Sequence, residues 1–334
     1  MREVLSPSGF LPVNKPAGIT SFDVIRELRR MLRIKKLGHS GVLDKPATGV
    51  LVIGANQATR LFELFGHFEK EYVADIWFGL TTSTDDTSGE LTASAGAPAL
   101  TAEAVAAVLG DYTGVIDQIP PAFSLTKVGG KELYRYALSG KDVVAKPKRV
   151  TVYGIELVDF TGGLSVSDAA EPGSPLATQL SADIVLSRAQ VKVSCQGGVY
   201  VRSIARDIGA DLGVGGSLGN LVRTRVGPFT LANSPTLEAL ASQLSDDVNP
   251  ADMLLPISSI APLEQQLALD AQQLSMVRNG RSIRRFKHHL PPGAAKRGDV
   301  VYGMNPGREL AVILTVGEIN QHGLVELKPS KVLA

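Results

Sequence analysis

Residues 38 to 53 read Gly38-His39-Ser40-Gly41-Val42-Leu43-Asp44-Lys45-Pro46-Ala47-Thr48-Gly49-Val50-Leu51-Val52-Ile53. Glycines and a proline make the first twelve a tight polar loop, and the last four are an apolar run suited to a buried strand. Upstream, Thr20-Ser21-Phe22-Asp23 sets a hydroxyl three residues before a carboxylate, the pattern of a capping box. Ile25, Leu28 and Leu32 follow at helical spacing, with Val24 and Met31 beside them. Arg26, Arg29, Arg30 and Arg33 fall mostly on the other side. The unit is therefore a basic helix, a glycine loop and a buried strand. Downstream, Tyr72, Ala74, Ile76 and Phe78 alternate with Val73, Asp75 and Trp77, and Val150 to Phe160 and Gln190 to Cys195 alternate similarly. Thr101 to Leu109 and Val201 to Leu212 have helical patterns. Strands and helices mix without regular β-α-β alternation, which makes α+β the fold class.

The chain has 334 residues, with 34 Lys plus Arg against 33 Asp plus Glu, 44% apolar and 20% charged residues. That is a globular composition, long enough for more than one domain. The one cysteine, Cys195, excludes a disulfide framework and a cysteine-based zinc site, and fits a reducing, cytoplasmic setting. No apolar run has the length of a membrane span, and Met1 to Phe10 lacks the pattern of a signal peptide. A net charge of +1 leans away from nucleic acid. Its distribution reverses that. Val24 to His39 carries Arg26, Arg29, Arg30, Arg33, Lys35 and Lys36 against Glu27 alone, whereas Val73 to Thr126 has no Lys or Arg. Basic density returns at Lys127 to Arg149, around Arg202 to Arg225 and at Arg278 to Lys296. A polyanion responds to the local field, so a neutral total is compatible with a nucleic-acid-binding face.

Residues 161–181 are small, polar and aperiodic, which reads as an exposed, flexible excursion between two strands. Prolines and serines from Asn249 to Pro262 separate a main body, residues 1–255, from a tail, residues 262–334. In that tail Gln265 to Val277 looks helical, and Val300 to Tyr302, Leu310 to Val316 and Leu324 to Leu327 read as strands of a small β-rich domain.

Asp44 is the only carboxylate of the glycine loop. Beside Lys45 and the basic helix it should stay ionised, as a nucleophile or base must. An Asp that satisfies local amides in an Asx turn fits the same residues. A second cluster, Cys195-Gln196-Gly197-Gly198-Val199-Tyr200-Val201-Arg202-Ser203-Ile204-Ala205-Arg206-Asp207, ends a strand in a Gly-Gly turn before a helix. Tyr200 and Arg202 suit a flipped base and a phosphate or carboxylate. They also suit a core tyrosine and a surface Arg202–Asp207 pair, and spacing does not choose. Gly213 to Gly219 follows a helix, so it reads as a helix C-cap and loop. His39, His67, His288, His289 and His322 lack metal-ligand spacing, and no phosphate-binding or zinc-protease motif is present. No cofactor and no metal are expected.

At these clusters the sequence resembles the TruB family of tRNA pseudouridine synthases. Gly38 to Leu51 is similar to the family's G-H-x-G-x-L-D-x-x-A-T-G-x-L signature, and Gly198 to Gly209 to its G-x-Y-[VI]-R-S-[IL]-A-R-D-[IL]-G signature. Lys15 to Ser21, Lys70-Glu71-Tyr72 and Leu221 to Phe229 resemble further family elements in order. Pro120 to Ser124 with Lys127 to Lys131 resembles the segment that closes over RNA, placed at residues 120–149. The chain has Lys45-Pro46 where the family usually has Pro then Leu, and Leu125, Thr126 and Glu132 where other residues are common.

The resemblance implies a pseudouridine synthase fold: a mixed, mainly antiparallel central sheet flanked by helices and loops, plus a small PUA-like RNA-binding domain. It implies isomerisation of uridine 55 in the tRNA T arm stem-loop, by one chain with no obligatory protein partner, read as a monomer. Asp44 would be catalytic. Tyr72 would stack on the flipped uracil, Tyr200 would lie near the reacting nucleotide and Arg202 would pair with the aspartate. Leu221 would pack the pocket and His39 would hold the distorted loop. Two other readings keep the same fold: a non-catalytic tRNA-binding or tRNA-folding protein, and a guide-RNA-dependent synthase.

Overall fold

The computed structural model describes residues 7–97, 99–169, 175–244, 249–294 and 296–333. Strand β1 (Gly9–Lys15) leads to helix α1 (Ser21–Leu32), and the Thr20–Asp23 capping box closes reciprocally at the helix start. Val24, Ile25, Leu28 and Leu32 are buried, so the arginines take the outer face as their spacing predicts. A short strand β2 (Leu37–His39) precedes the glycine loop, which opens into β3 (Thr48–Ala55). A 3-10 stretch, Asn56–Gly66, returns the chain to β4 (Lys70–Phe78). The hairpin β5 (Leu80–Thr82) and β6 (Leu91–Ser94) and the helix α2 (Ala102–Leu109) precede β7 (Gly114–Gln118).

The segment that follows holds a small hairpin, β8 (Lys127–Val128) and β9 (Lys131–Glu132), and a helix α3 (Leu133–Ala137). The long strand β10 (Lys148–Leu164) pairs with β11 (Leu186–Cys195), with the short helices α4 (Val166–Ala169) and α5 (Pro175–Gln179) between them. Helix α6 (Val201–Asp211), strands β12 (Gly216–Val226) and β13 (Phe229–Thr230), and helix α7 (Leu237–Gln243) complete the main body.

Nine strands form one sheet in the order β1-β3-β12-β4-β11-β10-β7, with β2 added on β3 and β13 on β12. Only the β3–β12 pairing is parallel, so the sheet is mixed and mainly antiparallel. Its main core joins Val24 and Leu28 of α1, Leu51 and Ile53 of β3, and Ile204 and Ile208 of α6. A Cβ at Gly216 would stand 2.3 Å from the Ala205 carbonyl, so glycine there lets α6 lie directly on the start of β12.

Strands β14 (Gln266–Ala268), β15 (Ile283–Phe286), β16 (Val300–Met304), β17 (Leu310–Ile319) and β18 (Leu324–Val332), with helix α8 (Ala271–Arg278), build the tail. They form a separate sheet in the order β14-β16-β17-β18-β15 around Leu274, Val277, Val301, Leu314 and Val325. Its other face is not free. Tyr302, Met304, Ile313 and Leu333 pack into one cluster with Phe10, Val52, Phe65 and Phe229 of the main body.

Three expectations change. Within residues 161–181, β10 continues to Leu164, and Val166 and Leu180 are buried with Trp77, Leu80 and Leu186. Those two apolar side chains anchor what composition alone presents as loose, while residues 170–174 of that stretch lie outside the described residues. Gln265 to Val277 is not one helix, because Leu267 and Leu269 are both buried at a strand's spacing and Asp270 caps α8 after them. Gly213 ends its helix in a left-handed turn as expected, but from Gly216 onward the run is already strand. Among the described residues no helix is long and apolar enough to cross a membrane, and no group of three metal-ligating side chains occurs.

Candidate active site

The glycine loop, the start of β4, the middle of β12, the start of α6 and the segment after Pro121 meet around a cleft of about 840 Å³. Asp44, His39, Tyr72, Tyr200, Arg202 and Leu221 all line it, so each residue singled out in the sequence reaches one place. They come from four separate stretches of chain.

Arg202 sits one residue inside α6 and its side chain is 6% exposed. Its Nε lies 2.9 Å from Asp44 Oδ2 and its Nη2 donates to Asp44 Oδ1 at 3.2 Å. The guanidinium also donates to the carbonyls of Thr84 and Phe123, both at 3.0 Å. One side chain thus ties the glycine loop, the turn after β5 and the segment after Pro121 together. The Arg202–Asp207 surface pair does not form; Arg206 takes Asp207 at 2.8 Å instead.

Asp44 keeps 37% of its side chain open to the cleft. Burial raises its pKa above the ordinary aspartate value; Arg202 opposes this and the nearby Asp86 reinforces it. The cations that act on Asp44 are Arg202 and Lys15, rather than Lys45 or the arginines of α1. Lost solvation outweighs them.

Tyr72 on β4 is buried with its ring against the cleft, and burial pushes its hydroxyl pKa up. Tyr200 caps α6, exchanges main-chain hydrogen bonds with the Gln118 amide at 2.8 and 3.0 Å, and lies within 3.2 Å of the Thr126 hydroxyl through its own. His39 ends β2, and burial with Arg223 nearby lowers its pKa. Its Nδ1 and the Ser124 Oγ are buried without a hydrogen-bond partner among the described residues.

Four residues at the site carry roles that sequence reasoning did not assign. Arg223 is buried on β12, where its guanidinium donates to the carbonyls of Val50, Val42 and Gly41 at 2.7, 3.4 and 3.3 Å. Lys15 is fully buried and donates to the carbonyls of Pro16, Ile19 and Lys45 at 2.9, 2.7 and 3.2 Å. Lys70 donates to the Phe65 and Phe68 carbonyls. Burial lowers both lysine pKa values to about 8. Asp86 is buried, accepts from Thr84 Oγ1 at 2.8 Å, and stands 3.8 Å behind Arg202. The available signal was a charged residue placed inside an apolar strand pattern, as Lys15 and Arg223 are. Asp86 had only its place in the acidic stretch.

Comparison with known proteins defines its class. Residues 29–201 match the TruB family pseudouridylate synthase N-terminal domain, and residues 202–267 match the tRNA pseudouridylate synthase B C-terminal domain. A chain from the structure of an H/ACA RNP bound to a substrate RNA containing 2′-deoxyuridine superposes with a TM-score of 0.66. It is 20% identical, over 98% of this chain and 85% of that one, and shares the fold. The fold and the family match are those of a pseudouridylate synthase.

Among curated relatives, the tRNA pseudouridine synthase B of Streptomyces avermitilis is 36% identical over 92% of this chain and 93% of its own length. That of Thermobifida fusca is 39% identical over 85% of this chain and 89% of its own. The chain belongs to the TruB family.

Proposed function

We propose that this chain isomerises uridine 55 to pseudouridine in the T arm stem-loop of tRNA, with Asp44 as its catalytic carboxylate. The observation that carries the reading is the two-pronged Arg202–Asp44 pair, open to a cleft floored by Tyr72 and Leu221. The relatives' shared name, tRNA pseudouridine synthase B, supplies the substrate class.

The reaction breaks N1–C1′, turns the uracil and joins C5 to C1′. C5 gives up a proton and N1 gains one, so composition and oxidation state are unchanged. A positioned carboxylate therefore suffices as the reacting group. The uridine must leave its stack at a cost of about a few kcal/mol. Stacking on Tyr72 offsets this by about 1–3 kcal/mol. Arg202 aims the carboxylate. Tyr200 flanks the nucleotide, Leu221 packs beneath it, and His39 at the rim holds the distorted loop. The unpartnered Ser124 Oγ and His39 Nδ1 offer hydrogen bonds to a polar ligand.

On this reading residues 1–255 are the catalytic domain, 120–149 cover the RNA, and 262–334 are a PUA-like RNA-binding domain. Phe123, Ser124, Leu125 and Tyr134 on the cleft wall support the covering role. The chain works in the cytoplasm as a monomer with no obligatory protein partner. The test is Asp44→Asn: it should bind T-arm RNA with near wild-type affinity and form no pseudouridine. Substantial product from that variant, mapped in a tRNA transcript with no added cofactor, would overturn the assignment.

A further inference from the structure

We infer that the outer edge of the C-terminal sheet is a stacking platform for an unpaired nucleotide of the same RNA, outside its T arm. The inference rests on the proposed function and names the surface that would meet the rest of the substrate.

Strand β15 is an edge: among the described residues it pairs with β18 and with no other strand. Alternation sends Ile283 inward and Arg284 and Phe286 outward, where Phe286 is 46% exposed. The chain then turns so that the His288 ring lies 5.6 Å from the Phe286 ring at 18°, nearly parallel, and His289 crosses His288 at 4.1 Å. Three neighbouring rings are thus held in the open. The sequence around them, from Arg278 to Gly298, has Arg278, Arg281, Arg284, Arg285, Lys287, Lys296 and Arg297 and no Asp or Glu. Among the described residues none of these seven forms a salt bridge; Arg285 donates to Gln273 Oε1 at 2.7 Å, and Glu326, opposite Arg284 in the sheet, is paired with Lys328 at 3.3 Å.

Charge alone protects an edge strand from unwanted pairing, and lysines or arginines would be enough. Exposed rings add nothing to that protection. Rings interleaved with cations suit nucleic acid, the rings taking base faces and the cations taking phosphates. A base within a duplex has both faces covered, so the ligand is an unpaired nucleotide. It lies away from the reacting loop because the strands that pack on the catalytic sheet are β16 and β17, whereas β15 is at the far edge.

The experiment uses the full chain with Phe286→Ala and Phe286→Tyr, assayed on full-length tRNA transcript and on an isolated T-arm hairpin. Binding of labelled tRNA is measured in parallel. Phe286→Ala should weaken binding to full-length tRNA and raise its KM about ten-fold with kcat unchanged, leave the hairpin kinetics unchanged, and be rescued by Phe286→Tyr. Unaltered tRNA binding in Phe286→Ala, or an equal loss on the hairpin, would overturn the platform. A wild-type chain inactive on both RNAs would instead refute the proposed reaction, and the binding data would still decide the platform.

Discussion

Arg202 grips Asp44 with two nitrogens, Nε at 2.9 Å and Nη2 at 3.2 Å, while its remaining donors hold main-chain carbonyls of two other loops. The carboxylate is thus aimed by a group that is itself fixed. A lysine keeps the charge but loses the fork. Arg202→Lys should bind T-arm RNA within a few-fold of wild type and turn over about 10²-fold more slowly, the cost of a carboxylate misplaced by about 1 Å. Single-turnover kinetics beside a binding titration checks this. A fall in affinity with turnover intact would contradict it.

The raised pKa of Asp44 predicts an acid limb in the rate profile. The ionised form is the reactive one, so as pH falls activity should be lost at higher pH than an ordinary aspartate would dictate. Asp86 contributes to the rise as a like charge. Asp86→Asn removes that repulsion and should move the limb to lower pH, whatever it does to the maximum rate. A limb that stays in place in the variant would show that Asp86 acts by geometry alone.

Residue-level legibility followed local grammar. The Thr20–Asp23 box, the glycine loop around Asp44 and the strand-turn-helix at Tyr200 each fit within a dozen residues, so sequence could show them. Their meeting in one cleft is set by the β3–β12–β4–β11 strand order, which local periodicity does not encode. The same limit hid Asp86. Its importance lies in standing behind a guanidinium 116 positions along the chain, and nothing nearby announces that. Val166 and Leu180 were missed because two anchoring side chains in a polar stretch make no period.

Gly49 has φ +103, and a Cβ there would stand 2.2 Å from the Arg223 carbonyl. The position joins two penalties, a left-handed backbone and a collision with the neighbouring strand. Gly49→Ala should cost about 3 kcal/mol or more of stability, seen as a lower denaturation midpoint. Gly18, also left-handed but with open space around it, provides the control: its alanine variant should lose less.

Lys70 should make stability depend on pH in the alkaline range. Its pKa is about 8 in the fold against 10.5 for the free side chain. Between those values the unfolded chain binds the extra proton, so this group's contribution to stability increases as pH rises. Relative to Lys70→Met, the wild type should gain up to about 1.4 kcal/mol per pH unit within that window. Denaturant unfolding of both proteins at pH 7 and pH 9.5 measures it. A constant difference would mean that the carbonyls of Phe65 and Phe68 hold the ammonium charged.

The net charge of +1 hides an asymmetry that salt should expose. On α1, Arg26 and Arg30 are taken up by Asp23 and Glu27 one turn away. Lys35 and Lys36, between α1 and the glycine loop, are exposed and form no salt bridge among the described residues. They precede β2, whose last residue His39 lines the cleft, and are free to meet phosphates. Affinity for tRNA should therefore fall as salt rises, and removing one phosphate contact should flatten the logarithmic slope by about one. Lys35→Ala and Lys36→Ala should each weaken binding while leaving turnover at saturation unchanged, since neither reaches Asp44. Binding that stays flat from low to moderate salt would mean that the acidic stretch from Val73 to Thr126 cancels the basic face.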